Sequence, residues 1–156
     1  MKAALMIVAL WMSAAPVYAD WQFELSEDPI TNKRNGHVIQ AIDGQTFVVG
    51  CPQGLPLMAV FFWPMAVADD VRMNIRLDQE EVMSPVAIHD PTNSSTFLTS
   101  KSYTIELVRA MRSARQLHVR VALSNGSMIP AVTYGLDGFS ERLQSACGWH
   151  TGYRAL

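Results

Sequence analysis

Cysteine is scarce in this chain of 156 residues, which has only Cys51 and Cys147. Two thiols far apart in sequence exclude a cysteine-rich scaffold held by several bridges. Charge is scarce too. Lys and Arg number 12 and Asp and Glu 14, and charged residues make up 17% of the chain. A net charge of −2 is not the strong basic excess of a nucleic-acid-binding domain, so no nucleic-acid partner is expected. Several catalytic signatures are missing as well. There is no Gly-x-Ser-x-Gly elbow, no phosphate-cradling glycine loop and no His-Glu-x-x-His pair. The four histidines, His37, His89, His118 and His150, never fall four apart. They are expected to be surface imidazoles, and no metal or other cofactor is expected.

A long apolar run is missing after the N-terminus. The longest, Leu55 to Val67, is broken by Pro56 and Pro64 and reads as a buried strand and turn. The N-terminus itself is different. Lys2 is followed by Ala3 to Ala15, apolar apart from Ser13, and then by Val17-Tyr18-Ala19. A positive start, a short apolar stretch and small residues before a cut after Ala19 describe a secretory signal peptide, residues 1–19. The stretch is shorter than the ~20 apolar residues a spanning helix needs. The alternative is an uncleaved anchor. Cleavage would leave a mature domain at residues 20–149 and a tail at 150–156, with no integral membrane segment. The expected location is the bacterial periplasm.

In an exported chain two cysteines read first as a disulfide, here Cys51–Cys147. A metal site would need further ligands at close spacing, and none is near in sequence. A reactive thiol is the other alternative. A bridge closing so long a loop is worth roughly 4–5 kcal/mol by chain entropy.

Hydrophobic periodicity supplies the fold class. Trp21-Gln22-Phe23-Glu24-Leu25 alternates like a half-buried strand. Val38 to Ile42 and Phe47 to Cys51 flank Asp43-Gly44, a two-residue hairpin signal. Pro56 to Trp63 is a central strand. Val71, Met73, Ile75 and Leu77 alternate with Arg72, Asn74 and Arg76, giving a strand with one wet face. Glu81 to Ile88 is a weaker strand and Asp90 to Ser95 a turn. Ser102 to Ala114 shifts to helical period. Leu117 to Leu123 alternates again and Asn125-Gly126 predicts a type I′ turn into Met128 to Tyr134. Asp137 is placed to cap a final helix that stops at Cys147-Gly148. The sum is an α+β domain, mainly antiparallel sheet, with about seven or eight strands, two helices and a single disulfide. The tail His150 to Leu156 follows the staple and is expected to be loosely ordered.

Few residues invite chemistry. Asp69-Asp70 and Glu80-Glu81 read as solvated turn carboxylates. Ser94, Ser95 and Ser100 have no base nearby in sequence. Asn93-Ser94-Ser95 and Asn125-Gly126-Ser127 match the glycosylation pattern, though Asn125 is explained by its turn. Arg109, Arg112, Arg115 and Arg120 could form a local basic face for an acidic partner. Phe61-Phe62-Trp63 is a core strand or, alternatively, a sticky patch.

Several short motifs occur together. Trp21 leads into Ser26-Glu27-Asp28-Pro29-Ile30-Thr31-Asn32, and Cys51 ends a strand. Arg115-Gln116-Leu117-His118-Val119-Arg120 leads to Tyr134-Gly135-Leu136-Asp137-Gly138 and then Cys147-Gly148-Trp149. This pattern resembles the VasI/TagO-like family of type VI secretion-associated periplasmic proteins over Trp21 to Trp149. Trp21, Asp28, Pro29, Thr31, Gly148 and Trp149 carry the likeness. It departs at Gly50, where members often have Arg, and between Phe61 and Asp90. The resemblance implies a non-enzymatic periplasmic accessory protein whose partner is an envelope or secretion-system protein. The alternatives are a periplasmic inhibitor of a hydrolase such as lysozyme, and an envelope enzyme whose site brings Asp69, Asp70 or His118 to a distant nucleophile.

Overall fold

A computed structural model describes residues 20–64, 71–154 and 156. The proposed signal segment and the Asp69-Asp70 pair lie outside the described residues. Two antiparallel sheets and three helices follow in chain order. The strands are β1 (Gln22–Glu27), β2 (Arg34–Ile42), β3 (Gln45–Pro52), β4 (Met58–Phe62), β5 (Val71–Leu77), β6 (Ala87–Asp90), β7 (Ser95–Leu98), β8 (Gln116–Leu123) and β9 (Val132–Gly135). The helices are α1 (Lys101–Met111), α2 (Phe139–Cys147) and α3 (Thr151–Arg154). The large sheet runs β1-β2-β3-β4-β7-β6 and the small sheet β5-β8-β9. The expected α+β class and antiparallel sheet are therefore found. Among the described residues there are nine strands and a third, single-turn helix.

The two turns read from sequence resolve differently. Asp43 (φ 51°) and Gly44 (φ 78°) both take positive φ between paired Ile42 and Gln45, the type I′ geometry expected. At the second turn only Gly126 (φ 83°) does so. Its N–H donates to Leu123 O at 3.0 Å and the Leu123 N–H donates to Ser127 O at 2.8 Å. That is a three-residue hairpin with a glycine bulge rather than a type I′ turn. The return strand starts late, because Pro130 has no amide for the ladder. Glu81 to Ile88 forms one bridge, Met83 to Ile75, before β6 begins. The Asp90–Ser95 turn leads into β7, a strand the sequence did not announce.

Ser100 caps α1, its Oγ accepting from the Tyr103 N–H at 3.3 Å. Asp137 does not cap α2. The cap is Gly138, with φ 75° and no side-chain bond. Inner faces of both sheets meet in one core with Trp21, Phe47, Phe61, Tyr134 and Phe139 at its centre. Phe47 stacks on Phe61 at 4.3 Å and Trp21 tilts onto Phe139 at 4.8 Å. Such pairs add about 0.5–1.5 kcal/mol each beyond area burial. The Trp21 Nε1–H donates to Gly135 O at 2.7 Å, tying the start of β1 to the small sheet.

The disulfide joins Cys51 and Cys147 with their Cα atoms 5.8 Å apart. It fixes the end of α2 to β3. The tail beyond it is anchored, contrary to the expectation of a loose end. His150 is 4% exposed. Its Nε2 faces Leu55 O at 2.9 Å and Pro52 O at 3.2 Å, while Nδ1 accepts from the Gly152 N–H at 2.9 Å. Two carbonyls on one nitrogen and an amide on the other require the neutral tautomer with the proton on Nε2. The Arg109 Nε–H donates to Leu156 O at 3.0 Å and Arg112 lies 5.5 Å over the Tyr153 ring. Among the described residues no helix is long and apolar enough to cross a membrane.

Candidate binding face on the small sheet

Strand alternation in β5 and β8 sends Met73, Ile75, Leu77, Leu117, Val119 and Val121 into the core. The intervening residues therefore share the open face. Antiparallel register arranges them in rungs. Arg76 lies opposite His118, which lies opposite Thr133. Asn74 lies opposite Arg120, and Arg72 opposite Ala122. Rungs are two residues apart, about 6.7 Å along the strands. Arg76 and Arg120 are thus diagonal neighbours across the β5–β8 pair, about 7–8 Å apart by ordinary sheet geometry.

A cavity of about 240 Å³ opens on this array, lined by Asn74, Arg76, Val82, His118, Arg120 and Ala131 among others. His118 Nδ1 sits 2.8 Å from Thr133 Oγ1. Its Nε2 is buried and has no hydrogen-bond partner within 3.5 Å among the described residues, though the Asp78 backbone interacts with the ring. Burial, and next the Arg76 guanidinium, hold the imidazole below its ordinary pKa; Asp78 opposes them. The Asp78 carboxylate is committed elsewhere, since its Oδ1 accepts the backbone N–H groups of Arg115 at 3.0 Å and Gln116 at 2.8 Å. Among the described residues no acidic side chain lines the cavity.

His118 and Thr133 have the spacing of a base and a hydroxyl. Beyond Thr133, the imidazole interacts with the Asp78 backbone. The cluster offers donors for an anion: two guanidiniums, an amide, a hydroxyl and an imidazole.

The other candidates named from sequence disperse. Arg109 and Arg112 engage the tail, and only Arg120 joins this face. His37 sits 3.5 Å from Glu24 at the surface, and His89 Nδ1 is 3.1 Å from Thr96 Oγ1. His150 is structural rather than a surface imidazole. The Asn93 and Asn125 side chains each accept a backbone N–H two residues on, at 3.1 and 2.8 Å. The motif residues also do structural work. Asp28 Oδ1 accepts from the Ile30 and Thr31 N–H groups at 2.8 and 2.9 Å. These amides, Thr31's foremost, lower its pKa. The Trp149 Nε1–H donates to Ala146 O at 2.8 Å beside Gly148. Among the described residues no group of three or more His, Cys, Asp or Glu is placed to hold a metal.

Phe61 and Trp63 are core, but Phe62 is not in the core cluster. It shares the outer face of the large sheet with a cross-strand row, Ile39–Val48–Val60–Phe97–Ile88. Val60 in that row is 4% exposed although it lies outside the core cluster.

The chain matches no protein-family model, no curated protein and no solved structure.

Arg76 was missed as a site residue from sequence. The alternation that exposes it was readable, but the register that sets it against His118 and diagonal to Arg120 was not.

Proposed function

We propose that this is an exported, non-enzymatic binding protein that holds an anionic group of its ligand or partner on the open face of the small sheet. One observation carries the reading. Two arginines flank the His118 imidazole in a cavity that, among the described residues, no carboxylate lines. Like charges gathered on one sheet face cost stability, and a bound anion removes that cost. The N-terminal sequence and the Cys51–Cys147 bridge support a periplasmic location. The likeness to type VI secretion-associated proteins supports an accessory role beside an envelope or secretion-system protein.

The test is an NMR titration of the mature protein with inorganic phosphate. Backbone shifts should gather at 72–76 and 118–120. Arg76→Ala and Arg120→Ala should each weaken binding about tenfold, the loss of one charge-assisted hydrogen bond of roughly 1.5 kcal/mol. Shifts scattered over the surface, or unchanged affinity in both variants, would sink the reading. Lysozyme activity measured alongside decides the alternative, because full activity at micromolar excess of this protein removes the inhibitor function for that enzyme.

A further inference from the structure

The open face of the small sheet changes character along its length. Its Arg76–His118–Thr133 end is polar. Beyond the Asn74–Arg120 rung lies the Arg72–Ala122 rung, and most of the wall around it is apolar. A second cavity, about 530 Å³, lies there and shares Asn74 with the first. Its walls include Val71, Pro85, Val86, Ala87 and Ala122. Asn74 Oδ1 accepts from Ser84 Oγ at 2.7 Å, and this bond marks the boundary between the two spaces. Val86 is 76% exposed, and Met128, bridged opposite Ala122, is 63% exposed. Large apolar side chains left in water around one end of a cleft, with cations that form no ion pair among the described residues at the other, describe a site for a two-part ligand.

We infer that the ligand is an amphipathic anion whose acid group sits between Arg76, His118 and Arg120 and whose apolar body lies over Ala122 and Val86. The chemical class is an acyl or aryl chain ending in a carboxylate or a phosphate monoester. The distance from the Arg76 rung to the Arg72 rung is about 13 Å, four residues of strand, which suits a chain of medium length. Arg72 also lines the second cavity. An arginine stem covers apolar surface while its head stays in water, so its presence does not make that end polar throughout. A second cation there is, however, what an extended polyanion would use, and the test separates the two.

The inference rests on the anion-binding reading. Calorimetric titrations of the mature protein with acetate, butanoate, hexanoate and octanoate, with inorganic phosphate and triglutamate as references, test both. Affinity should rise about two- to fourfold per added CH₂ until the apolar cavity is filled. Val86→Ser and Met128→Ser, both at exposed positions, should flatten that rise and leave phosphate affinity unchanged. If phosphate binds and octanoate binds no better than acetate, the amphipathic ligand is refuted while the anion site stands. Triglutamate binding more tightly than octanoate refutes it in favour of a polyanion. If neither phosphate nor any carboxylate binds, the anion site itself is refuted and the inference falls with it.

Discussion

Replacing Gly36 by alanine places a methyl group where β2 passes under the end of α2. The new Cβ would lie within the van der Waals radius of Ala146 O, 2.8 Å from Cys51 Sγ and 2.9 Å from the Ala146 carbonyl carbon. Two of these atoms are backbone and the third belongs to the disulfide, so none can rotate away. Relief requires α2 to lift from the sheet, and the Cys51–Cys147 bridge resists that motion. Overpacking a rigid site costs typically 1–3 kcal/mol and sometimes more. The upper end, about 3 kcal/mol, is expected here. A neighbouring glycine supplies the control. Gly50 is on β3, one residue before Cys51, and a Cβ there meets nothing within 4 Å. Gly50→Ala should be neutral or stabilising by about 0.5–1 kcal/mol, because alanine loses less backbone entropy on folding. Urea unfolding of both variants, monitored by tryptophan fluorescence, reads the difference directly. Equal midpoints for Gly36→Ala and Gly50→Ala would refute the close approach of α2 to β2.

The remaining expectations concern the staple, the tail and the imidazole of the binding face. Replacing both cysteines by alanine should lower unfolding free energy by roughly 4–5 kcal/mol; an unchanged urea midpoint would contradict the long closed loop. His150→Ala leaves the Leu55 and Pro52 carbonyls short of a donor in a buried site. It should cost about 2–3 kcal/mol and speed amide exchange at Gly152, and no change in that exchange would count against the anchored tail. His118 has a folded-state pKa below its ordinary 6.5. The unfolded chain therefore takes up the proton first as pH falls, so stability should decline on acidification from 6.5 down to the lowered folded value. His118→Gln should flatten that slope, and saturating phosphate should raise the His118 pKa in an NMR titration. A slope unchanged in the variant would show that another group causes it.

Much of the fold was legible because strand alternation and helical period are local signals. The strands around Asp43-Gly44, the β5 and β8 alternations and α1 all follow from residues close together in sequence. The misses have physical causes. At Asn125-Gly126 the dipeptide promised a two-residue turn, but the chain closes a three-residue loop with only Gly126 at positive φ. At Asp137, a good capping residue is displaced by Gly138. β7 is short, and Ser95 and Thr96 look like turn residues until β4 and β6 pair with them on either side. The tail looked loose because its anchors, Leu55 O and Arg109, are distant in sequence. The binding face was illegible for the same reason. Each of its arginines was visible as exposed, yet Arg76 meets His118 only through a pairing between segments about 40 positions apart.

The two sheets treat their outer faces in opposite ways, and the contrast bears on which face is the site. On the large sheet the row Ile39–Val48–Val60–Phe97–Ile88 is made of directly opposed apolar pairs. Such pairs stabilise a sheet by about 0.2–1 kcal/mol each, so this row has a structural reason to exist without any ligand. The basic array on the small sheet has no equivalent reason. Arg76 and Arg120 gain no ion pair among the described residues, and Asp78 is spent on backbone amides. Protonating His118 would add a third cation between them, and its lowered pKa avoids that. Folding alone would be served as well or better by threonine or valine at these positions. A cluster of cations that costs the fold something is the kind of local inconsistency that function explains, and an anion seated between the two guanidiniums removes that cost.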